Sequence, residues 1–125
     1  MAAMRLAHTM IRVGNLERSL SFYTGMLGFR LVRTKEVPEG RFTLAFLEAP
    51  GGGSQLELTY NWDRDHYDLG DGYGHIALTV EDPGKAYDEL VARGVPPYRP
   101  SNGRYAFIKD PDGYQIELLR EDPAG

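Results

Sequence analysis

The chain is 125 residues long, which is the size of a single domain and enough to bury a hydrophobic core without disulfides. With 42% hydrophobic and 26% charged residues the composition is that of a globular protein, and the absence of cysteine excludes thiolate metal sites and cysteine nucleophiles. The net charge of −4 arises without any cluster of lysine and arginine, so we expect no nucleic-acid partner.

The first half of the chain predicts a strand, a helix and three further strands. Residues 5–13 are rich in β-formers and lead into Asn15, a favourable N-cap for a helix. Apolar residues then recur at helical spacing until Gly28, which is the residue type expected just after a helix end. The remaining strands of this half are predicted at 29–36, 41–48 and 54–60.

The second half of the chain repeats this order after a polar loop. Residues 74–81 predict a strand, and Asp82 followed by Pro83 supplies an N-cap and a proline at the first helical position. An apolar stripe follows and Gly94 ends the helix. Three more strands are predicted at 95–100, 104–109 and 114–120.

Both halves therefore have the order βαβββ, which predicts an α+β fold of two repeats. The repeats cover about residues 5–60 and 74–120, within one domain that spans residues 1–125. The acidic and aromatic loop at 61–73 fits either a linker or a segment that closes over a site, and its length does not distinguish these roles. Residues 121–125 are expected to form a frayed tail.

Hydropathy along the chain bears on location. The apolar stretches are no longer than a strand, so we expect no transmembrane helix and no membrane partner. The N-terminus lacks the continuous apolar run of a secretory signal. We therefore predict a cytoplasmic protein.

Two histidines and two glutamates occupy matching places in the two repeats. His8 and His75 begin the first strand of each repeat, and Glu57 and Glu117 lie within the last. Because side chains alternate along a strand, all four are predicted on the face opposite the apolar stripe. If the apolar faces pack under the helices, the other faces curl into a trough where these side chains converge. Two imidazoles and two carboxylates suit a divalent cation such as Ni, Co, Fe, Mn or Zn.

Each of these residues has an ordinary interpretation when taken alone. A single strand histidine is more often solvated or satisfied in a core than a metal ligand, and a single strand glutamate is more often an outward charge. Recurrence at the same place in both repeats favours the ligand interpretation. His66 has no counterpart and is predicted to be a surface residue.

Nearly the whole chain, from Arg5 to about Glu121, resembles the glyoxalase I (lactoylglutathione lyase) family of the vicinal-oxygen-chelate superfamily. The most specific stretches are HTMIRVGNLERSLSFYTGMLGF, LELTYNW, GYGHIALTV and AFIKDPDGYQIEL, in family order. The resemblance implies paired βαβββ modules with curved mixed sheets, as in the glyoxalase and bleomycin-resistance fold, and a homodimer. Each metal site would then draw its ligands from both subunits, His8 and Glu57 from one and His75 and Glu117 from the other.

The resemblance also implies a reaction, the isomerisation of the methylglyoxal–glutathione hemithioacetal to S-lactoylglutathione. Its difficult step removes a proton next to a carbonyl, and a divalent metal can neutralise the charge that develops on the substrate oxygens. By resemblance Glu117 is the base and Glu57 assists it. The compact chain resembles the short bacterial forms that prefer Ni(II) or Co(II), with Zn(II) as the alternative metal.

For the thiol, the resemblance assigns Arg12 and Asn61 to the γ-glutamyl end of glutathione. Arg12 shares a predicted strand face with His8, and a guanidinium suits a carboxylate because it can bind it in a bidentate way. Two departures from the family leave the thiol open: Gly72 and Tyr73 replace a basic residue, and the stretch at 95–107 is short.

Two alternative functions are compatible with the fold. An epimerase, thiol transferase or dioxygenase of the same superfamily would keep the fold and the metal. Dioxygenases and thiol transferases of this fold typically use two histidines and one glutamate, and the epimerase pattern resembles His, Gln, His, Glu. The glutamate at position 57 therefore favours the lyase. A metal-free small-molecule binding protein predicts apolar or random residues at the ligand positions, which the sequence does not have. The native metal and the number of active sites per dimer are not specified by the sequence.

Overall fold

The computed structural model describes residues 2–121, so most of the tail predicted at 121–125 lies outside the described residues. The chain divides into two compact units, the first ending at Tyr67 and the second beginning at Asp68. This boundary falls inside the predicted inter-repeat loop. The first unit contains β1 (His8–Arg12), α1 (Leu16–Leu20), β2 (Arg30–Val37), β3 (Phe42–Glu48) and β4 (Gln55–Asn61). The second contains β5 (His75–Val80), α2 (Pro83–Ala92), β6 (Tyr105–Lys109) and β7 (Gln115–Arg120).

The sheet of the first unit has the order β1-β4-β3-β2 and is mixed. Strands β1 and β4 are parallel, whereas β3 is antiparallel to both β4 and β2. The parallel pairing is the important one for function, because it sets the first strand of the repeat beside the last.

The helix of the first unit begins as predicted but does not remain a regular α-helix. Asn15 caps it, since its Oδ1 accepts a hydrogen bond from Arg18 N at 3.0 Å. After α1 the chain continues as a π-helical segment, Ser21–Met26, in which Leu27 N donates to Phe22 O at 3.1 Å. Gly28 follows with φ of +76°, a left-handed conformation that glycine adopts without strain.

The second unit repeats the parallel pairing of first and last strands, with the sheet order β5-β7-β6. Here one sequence prediction is wrong. The strand expected at 95–100 is reduced to a single antiparallel bridge between Arg99 and Phe107. Pro96, Pro97 and Pro100 have no amide hydrogen, so this segment cannot sustain a ladder of backbone hydrogen bonds. The predicted helix start is confirmed, with Asp82 as the N-cap and Pro83 at the first position.

The apolar strand faces form the core of each unit, as the alternation pattern predicts. Val13, Leu47 and Leu58 are fully buried in the first unit, and Ile108 and Ile116 in the second. Burying a side chain of this size contributes about 1.5–3 kcal/mol. The core faces therefore fix the opposite faces, which carry the histidines and glutamates. None of the helices within residues 2–121 combines the length and apolar character needed to cross a bilayer.

Candidate active site

The first unit brings His8 and Glu57 into direct contact. In the parallel register of β1 and β4, His8 pairs with Gln55 and Met10 with Glu57, so the two predicted ligands share one face of the sheet. His8 Nε2 lies 2.8 Å from Glu57 Oε1. The Glu57 side chain is 11% exposed, whereas that of His8 is 42% exposed. The carboxylate is therefore enclosed, and the imidazole reaches the surface beside it.

The second unit builds the same pair from His75 and Glu117. In the parallel register of β5 and β7, His75 pairs with Gln115 and Ala77 with Glu117, the same two-residue offset as in the first unit. His75 Nε2 lies 3.3 Å from Glu117 Oε1, and the side chains are 42% and 15% exposed. The recurrence seen in the sequence is thus also a recurrence of strand register and contact.

A phenylalanine accompanies each pair, and sequence reasoning missed both. Phe46 pairs with Glu57 in the sheet and meets the His8 ring edge-to-face, with centroids 5.8 Å apart and planes at 76°. Phe107 pairs with Glu117 and meets His75 in the same way, at 5.2 Å and 86°. Comparison of RFTLAFLE with RYAFIK at matching places in the repeats could have identified them.

An arginine on the neighbouring segment lies over the ring of each phenylalanine. The guanidinium carbon of Arg33 lies 3.9 Å from the centroid of the Phe46 ring, and that of Arg99 lies 5.5 Å from the centroid of Phe107. Arg33 pairs with Phe46 in the sheet, and Arg99 forms its bridge to Phe107. Each histidine–glutamate pair therefore has a cation on the same sheet face, stacked on an aromatic ring.

The two glutamates differ in how firmly they are held. Thr59 Oγ1 donates a hydrogen bond to Glu57 Oε2 at 3.3 Å, so both carboxylate oxygens of Glu57 have partners. The residue at the corresponding place after Glu117 is Leu119, whose side chain offers no hydroxyl. The Glu57 carboxylate is consequently more restrained than that of Glu117.

The predicted substrate-binding residues lie further along the same face of the first sheet. Arg12 pairs with Thr59, and Asn61 ends β4 four positions after Glu57. Asn61 Nδ2 donates a hydrogen bond to Tyr67 Oη at 2.7 Å. His66 is exposed, as its surface interpretation predicts.

The side chains of the two pairs are of the types that bind metal ions. Neutral imidazole nitrogen and carboxylate oxygen form the ligand set expected for a divalent ion of intermediate softness. Within residues 2–121, no group of three or more histidine, aspartate or glutamate side chains is gathered in one place. Each unit thus offers two donors, and a complete coordination shell requires more than one such pair.

Comparison with known proteins identifies the class. The model of the Glyoxalase/Bleomycin resistance protein/Dioxygenase superfamily matches residues 5–118. The chain belongs to this superfamily, and the predicted α+β fold is confirmed.

More particular similarities are to lactoylglutathione lyases. The chain is 49% identical to the lactoylglutathione lyase of Neisseria meningitidis serogroup A, over 94% of this chain and 91% of the relative. It is 47% identical to that of Escherichia coli O157:H7, over 98% and 96%. Among solved structures, the trypanothione-dependent glyoxalase I of Leishmania major superimposes with a TM-score of 0.87 and 46% identity, covering 95% of this chain and 88% of that one.

Proposed function

We propose that this protein is a metal-dependent lactoylglutathione lyase, which isomerises the hemithioacetal of methylglyoxal and glutathione to S-lactoylglutathione. The observation that carries the proposal is the histidine–glutamate contact that recurs in both units at the same strand register. The near-full-length similarity to lactoylglutathione lyases supports this activity and does not favour the epimerase, thiol transferase, dioxygenase or metal-free binding alternatives.

His8, Glu57, His75 and Glu117 are the proposed metal ligands. Since each unit offers two donors, we assign the four to complete sites in a homodimer, with His8 and Glu57 from one subunit and His75 and Glu117 from the other. Ni(II) or Co(II) is the proposed native metal, because the compact chain resembles the short bacterial forms that prefer these ions. Zn(II) is the alternative, since the donor set suits it as well. The metal would supply Lewis-acid stabilisation of the charge that develops on the substrate oxygens.

The proposed chemistry is a proton transfer between neighbouring carbons of the substrate. Glu117 takes the proton from the carbon that bears the sulfur and returns it to the adjacent carbonyl carbon. The hydroxyl on the sulfur-bearing carbon loses its proton and becomes the thioester carbonyl, while the former ketone oxygen gains a proton and becomes the hydroxyl. The isomerisation therefore moves two protons within the substrate and needs no external oxidant or reductant. Glu57 assists as the carboxylate that stays in place and anchors the site. The additional hydrogen bond from Thr59 to Glu57 supports this division, because a base must move more than an anchor does.

Arg12 and Asn61 are the proposed contacts for the γ-glutamyl end of the thiol. Both share a sheet face with Glu57, and the guanidinium of Arg12 suits the carboxylate of that group. Glutathione is the proposed thiol and the cytoplasm the proposed location.

A metal-reconstitution assay tests this function. The purified protein is stripped with a chelator, reloaded with Ni(II), Co(II) or Zn(II), and assayed with methylglyoxal and a panel of thiols by thioester absorbance. We expect stripping to abolish turnover and Ni(II) or Co(II) to restore it better than Zn(II). A protein that binds none of these ions, or that turns over no adduct when loaded, would contradict the proposal.

Subunit mixing tests whether ligands are shared between chains. His8→Ala and His75→Ala proteins should each be inactive alone, because every site lacks one ligand. In a mixed dimer one site combines the intact halves of both chains, so partial activity should return. If each chain built its site alone, the mixture would stay as inactive as its components.

A further inference from the structure

The loop that joins the two units begins by folding back on the end of β4. Arg64 N donates to Asn61 O at 3.1 Å, which closes a turn directly after the strand. Trp62 N donates to Arg41 O at 3.0 Å, and Trp62 Nε1 donates to Thr43 Oγ1 at 2.8 Å. Residues 61–67 are therefore built onto the first unit and are not an extended linker.

An ion pair fixes this turn from the side. Arg41 has φ of +58°, an uncommon conformation for a residue with a side chain. Its Nε and Nη2 donate to the two carboxylate oxygens of Asp63 at 2.7 and 2.8 Å. These bonds raise the pKa of Arg41 and lower the pKa of Asp63. Because both side chains are exposed, the pair contributes little to stability. Its bidentate geometry instead fixes the direction of the turn.

Tyr67 is held at the far end of the same segment. The guanidinium carbon of Arg64 lies 4.4 Å from the Tyr67 ring centroid, and Arg64 Nε donates to His66 O at 3.1 Å. The phenol is thereby directed back to the end of β4, where Tyr67 Oη accepts the hydrogen bond from Asn61 Nδ2 at 2.7 Å. The loop thus reaches a residue of the proposed substrate site.

The direction of this hydrogen bond indicates which end of the Asn61 carboxamide is available to a ligand. A carboxamide can donate through nitrogen or accept through oxygen, and the contact with Tyr67 engages the nitrogen. The oxygen is then the atom presented to a ligand, and it suits an ammonium group rather than a carboxylate. Arg12, on the same sheet face, suits the carboxylate of the same amino-acid group.

We propose that Tyr67 is a positioning residue for substrate binding, whose hydroxyl orients the Asn61 carboxamide so that Oδ1 accepts from the α-ammonium group of a γ-glutamyl thiol. The assignment rests on the proposed function. It gives the inter-repeat loop a role in selecting thiols by their free amino group.

Steady-state kinetics with the Ni(II)-loaded protein tests the role of the hydroxyl. Tyr67→Phe keeps the ring and its contact with Arg64 but removes the acceptor, so KM for the glutathione adduct should rise about fivefold. The value of kcat should stay within about twofold, because the change is remote from the reacting carbons. Tyr60→Phe is the matched control, because its hydroxyl donates to Trp62 O at 3.4 Å and the neighbouring strand residues Tyr60 and Asn61 face opposite sides of the sheet.

A pair of inert ligands tests the chemistry. Binding of S-hexylglutathione and of its glutaryl analogue, which lacks only the α-ammonium group, is measured by calorimetry for wild type, Tyr67→Phe, Asn61→Ala and the double variant. The wild type should prefer S-hexylglutathione, and Tyr67→Phe should lose much of that preference. Because both residues act through one contact, the double variant should be no worse than Asn61→Ala alone.

The outcomes separate the inference from the proposed function. Suppose that the wild type is active but that Tyr67→Phe has the KM of the wild type or of Tyr60→Phe, or loses affinity for both inert ligands to the same extent. The role of Tyr67 is then overturned while the lyase activity stands. If the wild type neither turns over the adduct nor binds S-hexylglutathione, both are overturned.

Discussion

Thr59 donates a hydrogen bond to Glu57 at 3.3 Å, and no hydroxyl stands at the corresponding place beside Glu117, where the chain has Leu119. The two carboxylates occupy equivalent strand positions and each contacts a histidine, at 2.8 Å for Glu57 and 3.3 Å for Glu117. Because only Glu57 is bonded through both oxygens, the duplicated scaffold holds two chemically identical groups with unequal restraint. This asymmetry favours Glu117 as the residue that moves a proton.

Replacing the proposed base should therefore remove most of the catalysis. Glu117→Gln keeps the size of the side chain but cannot take a proton, so kcat should fall by about 10²–10⁴-fold. The protein should remain folded, as measured by circular dichroism and gel filtration. Glu48→Gln, which breaks an exposed ion pair with Arg30, is the control and should keep wild-type turnover. Activity that persists in folded, metal-loaded Glu117→Gln would show that the base is another residue.

Removing the hydroxyl that restrains Glu57 should weaken metal binding. Thr59→Val has nearly the same shape but leaves Glu57 Oε2 without its donor, so Ni(II) affinity should fall by about two- to tenfold. Competition with a chromophoric chelator measures this change. Thr34→Val, an exposed position on β2, is the matched control and should bind Ni(II) as the wild type does. Equal affinities for all three proteins would mean that the hydrogen bond does not orient the ligand.

Arg12, a proposed contact for the γ-glutamyl group, should affect substrate binding more than the chemical step. Arg12→Ala should mainly raise KM for the thiol adduct, because it removes the partner of a carboxylate that is present in ground and transition states alike. Arg12→Lys keeps the charge but not the bidentate geometry, so its KM should lie between those of the wild type and Arg12→Ala. Initial rates across adduct concentrations measure both constants. An unchanged KM for Arg12→Ala would remove Arg12 from the site.

Much of this architecture follows from the sequence because it depends on local patterns. Strand alternation placed His8 and Glu57 on one face, and the observed register confirms it. Capping at Asn15 and Asp82 is confirmed by hydrogen bonds from the backbone to their side chains. These features depend on a few neighbouring residues, so single-sequence reasoning reaches them.

Other features depend on how segments meet and were not predicted. The β-forming residues at 95–100 suggested a strand, but the prolines leave too few amide donors, and only Arg99 bridges to Phe107. The π-helical segment after α1 does not follow from apolar spacing alone, because it buries the consecutive residues Phe22 and Tyr23. The contact between Asn61 and Tyr67 depends on a turn held by an ion pair between residues distant in sequence, so no local sequence pattern predicts it.

The two phenylalanines provide the last test, because they should orient the histidines that we propose as metal ligands in both units. An edge-to-face contact contributes about 0.5–1.5 kcal/mol, so Phe46→Leu and Phe107→Leu should each lower Ni(II) affinity by about two- to tenfold. Tyr105→Leu is the control, since its ring contacts Phe107 at 5.8 Å and is 39% exposed. Chelator competition gives the affinities, and thermal unfolding shows that the variants are folded at the assay temperature. Because the same contact occurs beside His8 and beside His75, the two leucine variants should be impaired alike. If both variants bind Ni(II) as tightly as Tyr105→Leu does, the phenylalanines pack the core without orienting the imidazoles.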